Sequence, residues 1–126
     1  MKKSPIVIFL LCVLLFSSCK KGIENKIDGV WRITNIANAS SNEYDEWHIE
    51  NGYFYVEHIS ANGSHSQTSQ GEYKIKDKIY NFRRIFSVTK STNNNLIDDW
   101  RIKKLTNEYL TLRSSNGGIF LEFTKQ

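Results

Sequence analysis

Past position 19 the chain has no cysteine; its two thiols are Cys12 and Cys19. A disulfide scaffold is therefore excluded, and a thiolate zinc site in the body of the chain lacks its ligands. Histidine occurs three times, at His48, His58 and His65, and separations of ten and seven residues match no compact metal signature. There is no G-x-S-x-G, no phosphate-binding P-loop and no G-x-G-x-x-G. No amphipathic helical stripe of useful length follows residue 28, which argues against a parallel sheet with crossover helices. Disorder is excluded by what is abundant: 40% of the 126 residues are apolar, and three Trp, six Tyr and seven Phe are among them. One domain fits that length.

One apolar run does occur, the eleven residues from Ile6 to Phe16. It suits a signal-peptide core and is too short to span a bilayer. Lys2 and Lys3 precede it. The segment Leu15-Phe16-Ser17-Ser18-Cys19 that ends it resembles the lipobox of bacterial lipoproteins, with Phe16 where that motif usually has Leu. The resemblance implies a signal peptide over 1–18 and acyl chains such as palmitate on Cys19. Each chain then contributes about 0.8 kcal/mol per buried CH₂ to anchoring. Residues 19–27 read as a tether and 28–126 as the folded domain. Loss of Lys2 and Lys3 takes the balance from 17 basic against 13 acidic residues to 15 against 13, a net charge of +2. So small a surplus gives a nucleic-acid role no support. Lys20 and Lys21 read as part of a solvated tether beside the membrane.

From Asp28 onward short runs rich in Ile, Val, Tyr, Phe, Trp and Thr alternate with turn clusters. The pattern predicts strands at 29–37, 45–50, 53–60, 68–75, 79–82, 84–91, 97–105, 109–114 and 118–125. Asn51-Gly52 is a two-residue hairpin signal. Asn62-Gly63, Lys76-Asp77-Lys78, Asn93-Asn94-Asn95 and Ser115-Asn116-Gly117-Gly118 mark further turns. Alternation puts Tyr73 with Ile75, Trp100 with Ile102, Leu110 with Leu112, and Ile119 with Leu121 and Phe123 on buried faces. Lys103-Lys104 breaks that parity and predicts a β-bulge. Tyr53 to Ile59 is apolar on both faces, as in a strand covered on two sides or bordering a cavity. The expected fold is all-β: an antiparallel up-and-down meander barrel of about eight or nine strands, with a two-sheet β-sandwich as the alternative.

Gly29-Val30-Trp31 is similar to the G-x-W start of lipocalins and other calycins. The stretch from Trp100 through Leu112, with the finish Leu121-Glu122-Phe123-Thr124-Lys125, resembles the lipocalin-like lipoproteins common in Bacteroidetes. Gly71-Glu72-Tyr73-Lys74-Ile75 matches a middle strand of that family. The resemblance implies that Gly29 and Trp31 form a barrel floor with Lys125 packed over the indole. It also implies carriage or sensing of a small apolar molecule. Tyr53, Tyr55, Tyr73, Phe86 and Trp100 are then the candidates to line a pocket. The Lys-Lys-Gly-Ile-Glu after Cys19 lacks the acidic run of that group's surface-exported lipoproteins, which points to an outer-membrane anchor facing the periplasm.

Chemistry is sparse. His58 and Glu57 sit on opposite faces of one strand, and neighbours in Asp98-Asp99 and Glu43-Tyr44-Asp45-Glu46 diverge likewise. Arg83-Arg84 with Phe82 and Phe86 could stack on bases or bind phosphate, and reads more simply as a protected strand edge. The expectation is a monomer with no catalytic residues, metal or cofactor. It would bind a small apolar ligand or, alternatively, serve as an envelope protein-interaction or inhibitor module with a filled barrel. A hydrolase using His48 or His58 with a loop carboxylate is the third reading, and it lacks a supporting motif.

Overall fold

The computed structural model describes residues 22–23, 25–34, 42–78 and 83–126. Cys19, the signal segment, residues 35–37 of the first expected strand and the expected strand 79–82 lie outside the described residues. Eight strands follow in chain order: β1 (Gly29–Ile33), β2 (Tyr44–Glu50), β3 (Tyr53–Ile59), β4 (His65–Lys78), β5 (Arg83–Ser91), β6 (Asp99–Leu105), β7 (Tyr109–Arg113) and β8 (Phe120–Lys125). Each pairs antiparallel with its sequence neighbour, and β1 pairs with β8, so the sheet is one closed up-and-down barrel and not a sandwich. The seam aligns Trp31 with Lys125, Arg32 with Thr124 and Ile33 with Phe123. Backbone bonds extend it on both sides: Gln126 N–H donates to Val30 O at 2.9 Å, and Thr34 N–H to Glu122 O at 2.8 Å. Closure satisfies backbone groups that an open edge would expose.

Local chemistry sets the corners. Asn51 and Gly52 both adopt positive φ, 49° and 83°, as a two-residue primed turn requires, and they set Glu50 opposite Tyr53. At the next corner Gly63 takes φ 85°, and at the last Gly117 takes φ 76°. Asn93 caps a short 3-10 turn, Asn94–Leu96, by accepting the Asn95 N–H. The Lys76-Asp77-Lys78 cluster, expected to turn, does not. β4 runs on through it because Ile75, Lys76 and Asp77 continue the ladder opposite Phe86, Ile85 and Arg84. Ladder bonds there outweigh the weak turn preference of Lys and Asp.

Lys103 is the extra residue of a bulge between β6 and β7, where the register shifts between Ile102 and Lys104. Two further shifts carry no parity break in the apolar pattern. One lies between Val56 and Glu57 opposite β4, the other between Glu72 and Tyr73 opposite β5.

Trp31, Trp47, Phe54, Tyr73, Phe86, Trp100 and Phe123, together with aliphatic residues, form one buried cluster inside the barrel. Tyr73 stacks on Phe86 with centroids 4.5 Å apart, and Trp47 stacks on Phe54 at 5.5 Å while meeting the Phe123 ring edge-on at 5.3 Å. Two expectations change. Ile119 is 49% exposed because it falls in the loop before β8, outside the alternating strand. The strand covered on both faces is β5, with Ile85, Phe86, Ser87 and Val88 all buried, whereas β3 exposes Tyr53 and Tyr55.

The folded unit begins before residue 28. Residues 22–23 and 25–27 are helical, and Ile23 and Ile27 are buried in the core. Burial of each contributes about 1.5–3 kcal/mol. The segment read as tether therefore supplies a plug at the end of the barrel where β1 begins.

Candidate functional site

The expected floor residues come together. Trp31 is fully buried, its indole N–H donates to Ile27 O at 2.7 Å, and Lys125 Nζ lies 5.3 Å from its ring centroid. Lys125 Nζ also donates to Lys26 O at 3.4 Å, tying the helical plug to β8. Gly29 has φ 141°, a region that disfavours side chains, and a Cβ there would meet the Lys125 stem at 2.6 Å. Cation, indole and glycine pack as one structural unit.

The five expected pocket residues divide. Tyr73, Phe86 and Trp100 lie in the packed interior, each at most 4% exposed. Trp100 is further held by its indole N–H donating to Leu96 O at 2.9 Å, and Tyr73 by its hydroxyl donating to Asp28 Oδ1 at 3.3 Å. Tyr53 and Tyr55 instead point outward, 61% and 38% exposed. Strand parity separates the two sets: Phe54 and Val56 take the inner positions of β3, so Tyr53 and Tyr55 take the outer ones.

Outside the barrel these tyrosines line an open groove of about 1200 Å³ across β1 to β4 and the end of β5. Half-buried Val30 contributes apolar surface, and Glu50, Glu72 and Lys90 contribute both signs of charge. Lys90 and Glu72 form an exposed pair at 3.4 Å. At its centre Gly71 lets β4, β3 and β5 approach closely. A Cβ there would stand 2.0 Å from Lys90 O and 2.8 Å from the Phe54 ring.

Two histidine–carboxylate clusters flank the hairpin of β2 and β3. In the first, His58 Nδ1 hydrogen-bonds Asp45 Oδ1 at 2.8 Å, with Glu43 Oε2 3.6 Å from its Nε2. The bond to Asp45 outweighs desolvation and raises the His58 pKa above the usual histidine value. In the second, register sets Glu46 directly opposite Glu57 and His48 opposite Tyr55. His48 Nε2 lies 3.4 Å from Glu46 and 3.7 Å from Glu57, and its ring stacks on Tyr55 at 4.4 Å. His65 Nδ1 hydrogen-bonds Glu57 Oε2 at 2.8 Å. Spacing along the chain hides this cluster; the hairpin register reveals it.

The remaining suspects are structural. Desolvation opposes ionisation of Asp98, yet hydrogen bonds from Ser115 and from the Asp99 backbone prevail and hold its carboxyl below the usual range. Its Oδ2 accepts the Ser115 N–H at 3.0 Å and so pins the loop between β7 and β8. Asp99 accepts the Ser87 hydroxyl at 2.5 Å across β5 and β6. Arg84 is exposed beside Phe86, which points inward, so the two do not form one stacking surface; Phe82 lies outside the described residues. No family model matches the chain, and no curated protein or solved structure is significantly similar to it.

Proposed function

We propose that this chain is a lipid-anchored, lipocalin-like binding module of the cell envelope that grips a protein partner along its outer groove. The observation that carries this reading is the division of the aromatics. Tyr73, Phe86 and Trp100 occupy the barrel interior, whereas Tyr53 and Tyr55 face solvent beside the groove. An eight-stranded barrel has just enough interior for its own side chains or for one small ligand. An apolar molecule inside would have to displace the Tyr73–Phe86 stack. Exposed tyrosines flanked by Val30 and mixed charge suit a protein interface, where Tyr supplies contact area at low entropic cost. The lipobox-like Leu15 to Cys19 supports anchoring, and the reading assigns the protein to the periplasmic side of the outer membrane.

Native mass spectrometry of the protein purified from its own membrane tests this. A co-purifying polypeptide, lost when Tyr53 and Tyr55 are both replaced by Ser, is the expected result. A bound small apolar molecule that survives the double replacement would return the function to the barrel interior.

A further inference from the structure

We propose that Glu46, His48 and Glu57 form a divalent-metal site of the Zn²⁺ class on the outer wall of the barrel, with His65 orienting Glu57. The three donor atoms lie within 4.8 Å of one another on adjacent strands. Glu46 and His48 share the outer face of β2 two positions apart, and Glu57 is the cross-strand partner of Glu46. Two like charges set directly opposite on a sheet repel, and these carboxylates are only 13% and 22% exposed. Something cationic belongs between them.

The state of His48 says what. Its Nε2 is shut off from solvent and makes no hydrogen bond, although both carboxylates face it. Donors each about 2.0–2.1 Å from a tetrahedral Zn²⁺ stand about 3.3–3.4 Å apart. The His48 separations of 3.4 and 3.7 Å from the two glutamates are close to that edge length. They suit a shared ion better than a direct hydrogen bond. Stacking on Tyr55 fixes the imidazole plane, and the 2.8 Å bond from His65 fixes the Glu57 carboxylate, as outer partners do in metal centres. Three protein ligands leave one position open to water or to a donor from a bound partner. The cluster at His58 differs, because its Nδ1 already hydrogen-bonds Asp45 at 2.8 Å and its side chain is 37% exposed, open to water.

The test is Zn²⁺ titration of the full chain in detergent by isothermal calorimetry, with Ca²⁺ as the hard-ion control. Expected is saturable uptake of one Zn²⁺ per chain, weakened at least roughly tenfold by His48→Gln and by Glu57→Gln. His65→Gln should weaken it about 10–100-fold, and His58→Gln should leave it unchanged. Near-ultraviolet dichroism of the tryptophans establishes that each variant is folded. Should a variant fail to fold, nitrogen-15 imidazole spectra of the unaltered chain decide the matter. Zn²⁺ must then shift the His48 Nε2 resonance and not those of His58. Absence of saturable uptake, equal binding of Ca²⁺, or uptake of undiminished affinity in His48→Gln overturns the site.

Discussion

Lys125 Nζ stands 5.3 Å from the centroid of the Trp31 ring, across the seam where the last strand meets the first. The indole under it is wholly buried and bonded to Ile27 O, so one side chain joins seam, plug and core. Trp31→Ala should cost about 3–5 kcal/mol of stability. Lys125→Met, which keeps the stem and removes the charge, should cost about 0.5–2 kcal/mol. Urea unfolding followed by far-ultraviolet dichroism measures both, and an unshifted midpoint in Trp31→Ala would contradict the floor assignment.

Gly71 tolerates no side chain. A methyl group would meet Lys90 O at 2.0 Å and the Phe54 ring at 2.8 Å, and backbone on one side with a packed core on the other cannot yield. Gly71→Ala is expected to cost about 1–3 kcal/mol, the range for overpacking. A thermal midpoint equal to that of the unaltered chain would show that β4 and β5 part readily here.

At His58 the folded state favours the charged ring, since its pKa is raised. Its contribution to stability is therefore complete below the ordinary value of 6.5 and fades as pH rises through the higher folded-state value. Proton NMR titration should show the His58 midpoint falling in Asp45→Asn. The stability gap between that variant and the parent should be wider at about pH 5.5 than at about pH 8.5. A gap that widens with pH would reverse the assignment.

The proposed anchoring rests on one atom, the Cys19 sulfur. Cys19→Ser is expected to abolish the mass increment of lipidation and release the protein from the membrane fraction. Intact-mass measurement and fractionation read the two effects separately. Membrane association that persists without an acyl mass would place the anchor elsewhere.

Much of the barrel was legible from turn chemistry and period-two alternation. Asn51-Gly52 permits only a tight primed turn, and Lys103 interrupts an alternation that resumes one residue later. Other features depend on partners that a linear reading does not supply. Lys76 and Asp77 look like turn residues until β5 is beside them. Ile23 and Ile27 look like tether until the open end of a barrel needs covering. Tyr53 and Tyr73 read alike as pocket aromatics, yet parity puts one outside and one inside. The cluster at His48 was within reach: a two-residue loop at Asn51-Gly52 makes Glu46 face Glu57 by counting alone. The bulge that brings His65 to Glu57 was not, because nothing around Thr68 disturbs an apolar pattern.

The helical plug has a mechanical corollary. Only residues 20–22 separate Cys19 from Ile23, which is seated in the barrel. Four Cα steps at full stretch reach about 14 Å. Were Cys19 acylated as proposed, the barrel would ride on a short leash, its plugged base held near the headgroups and its tumbling restrained. Contenders for the groove would then be molecules held at that same membrane surface, and those diffusing freely through the compartment would meet it at a disadvantage.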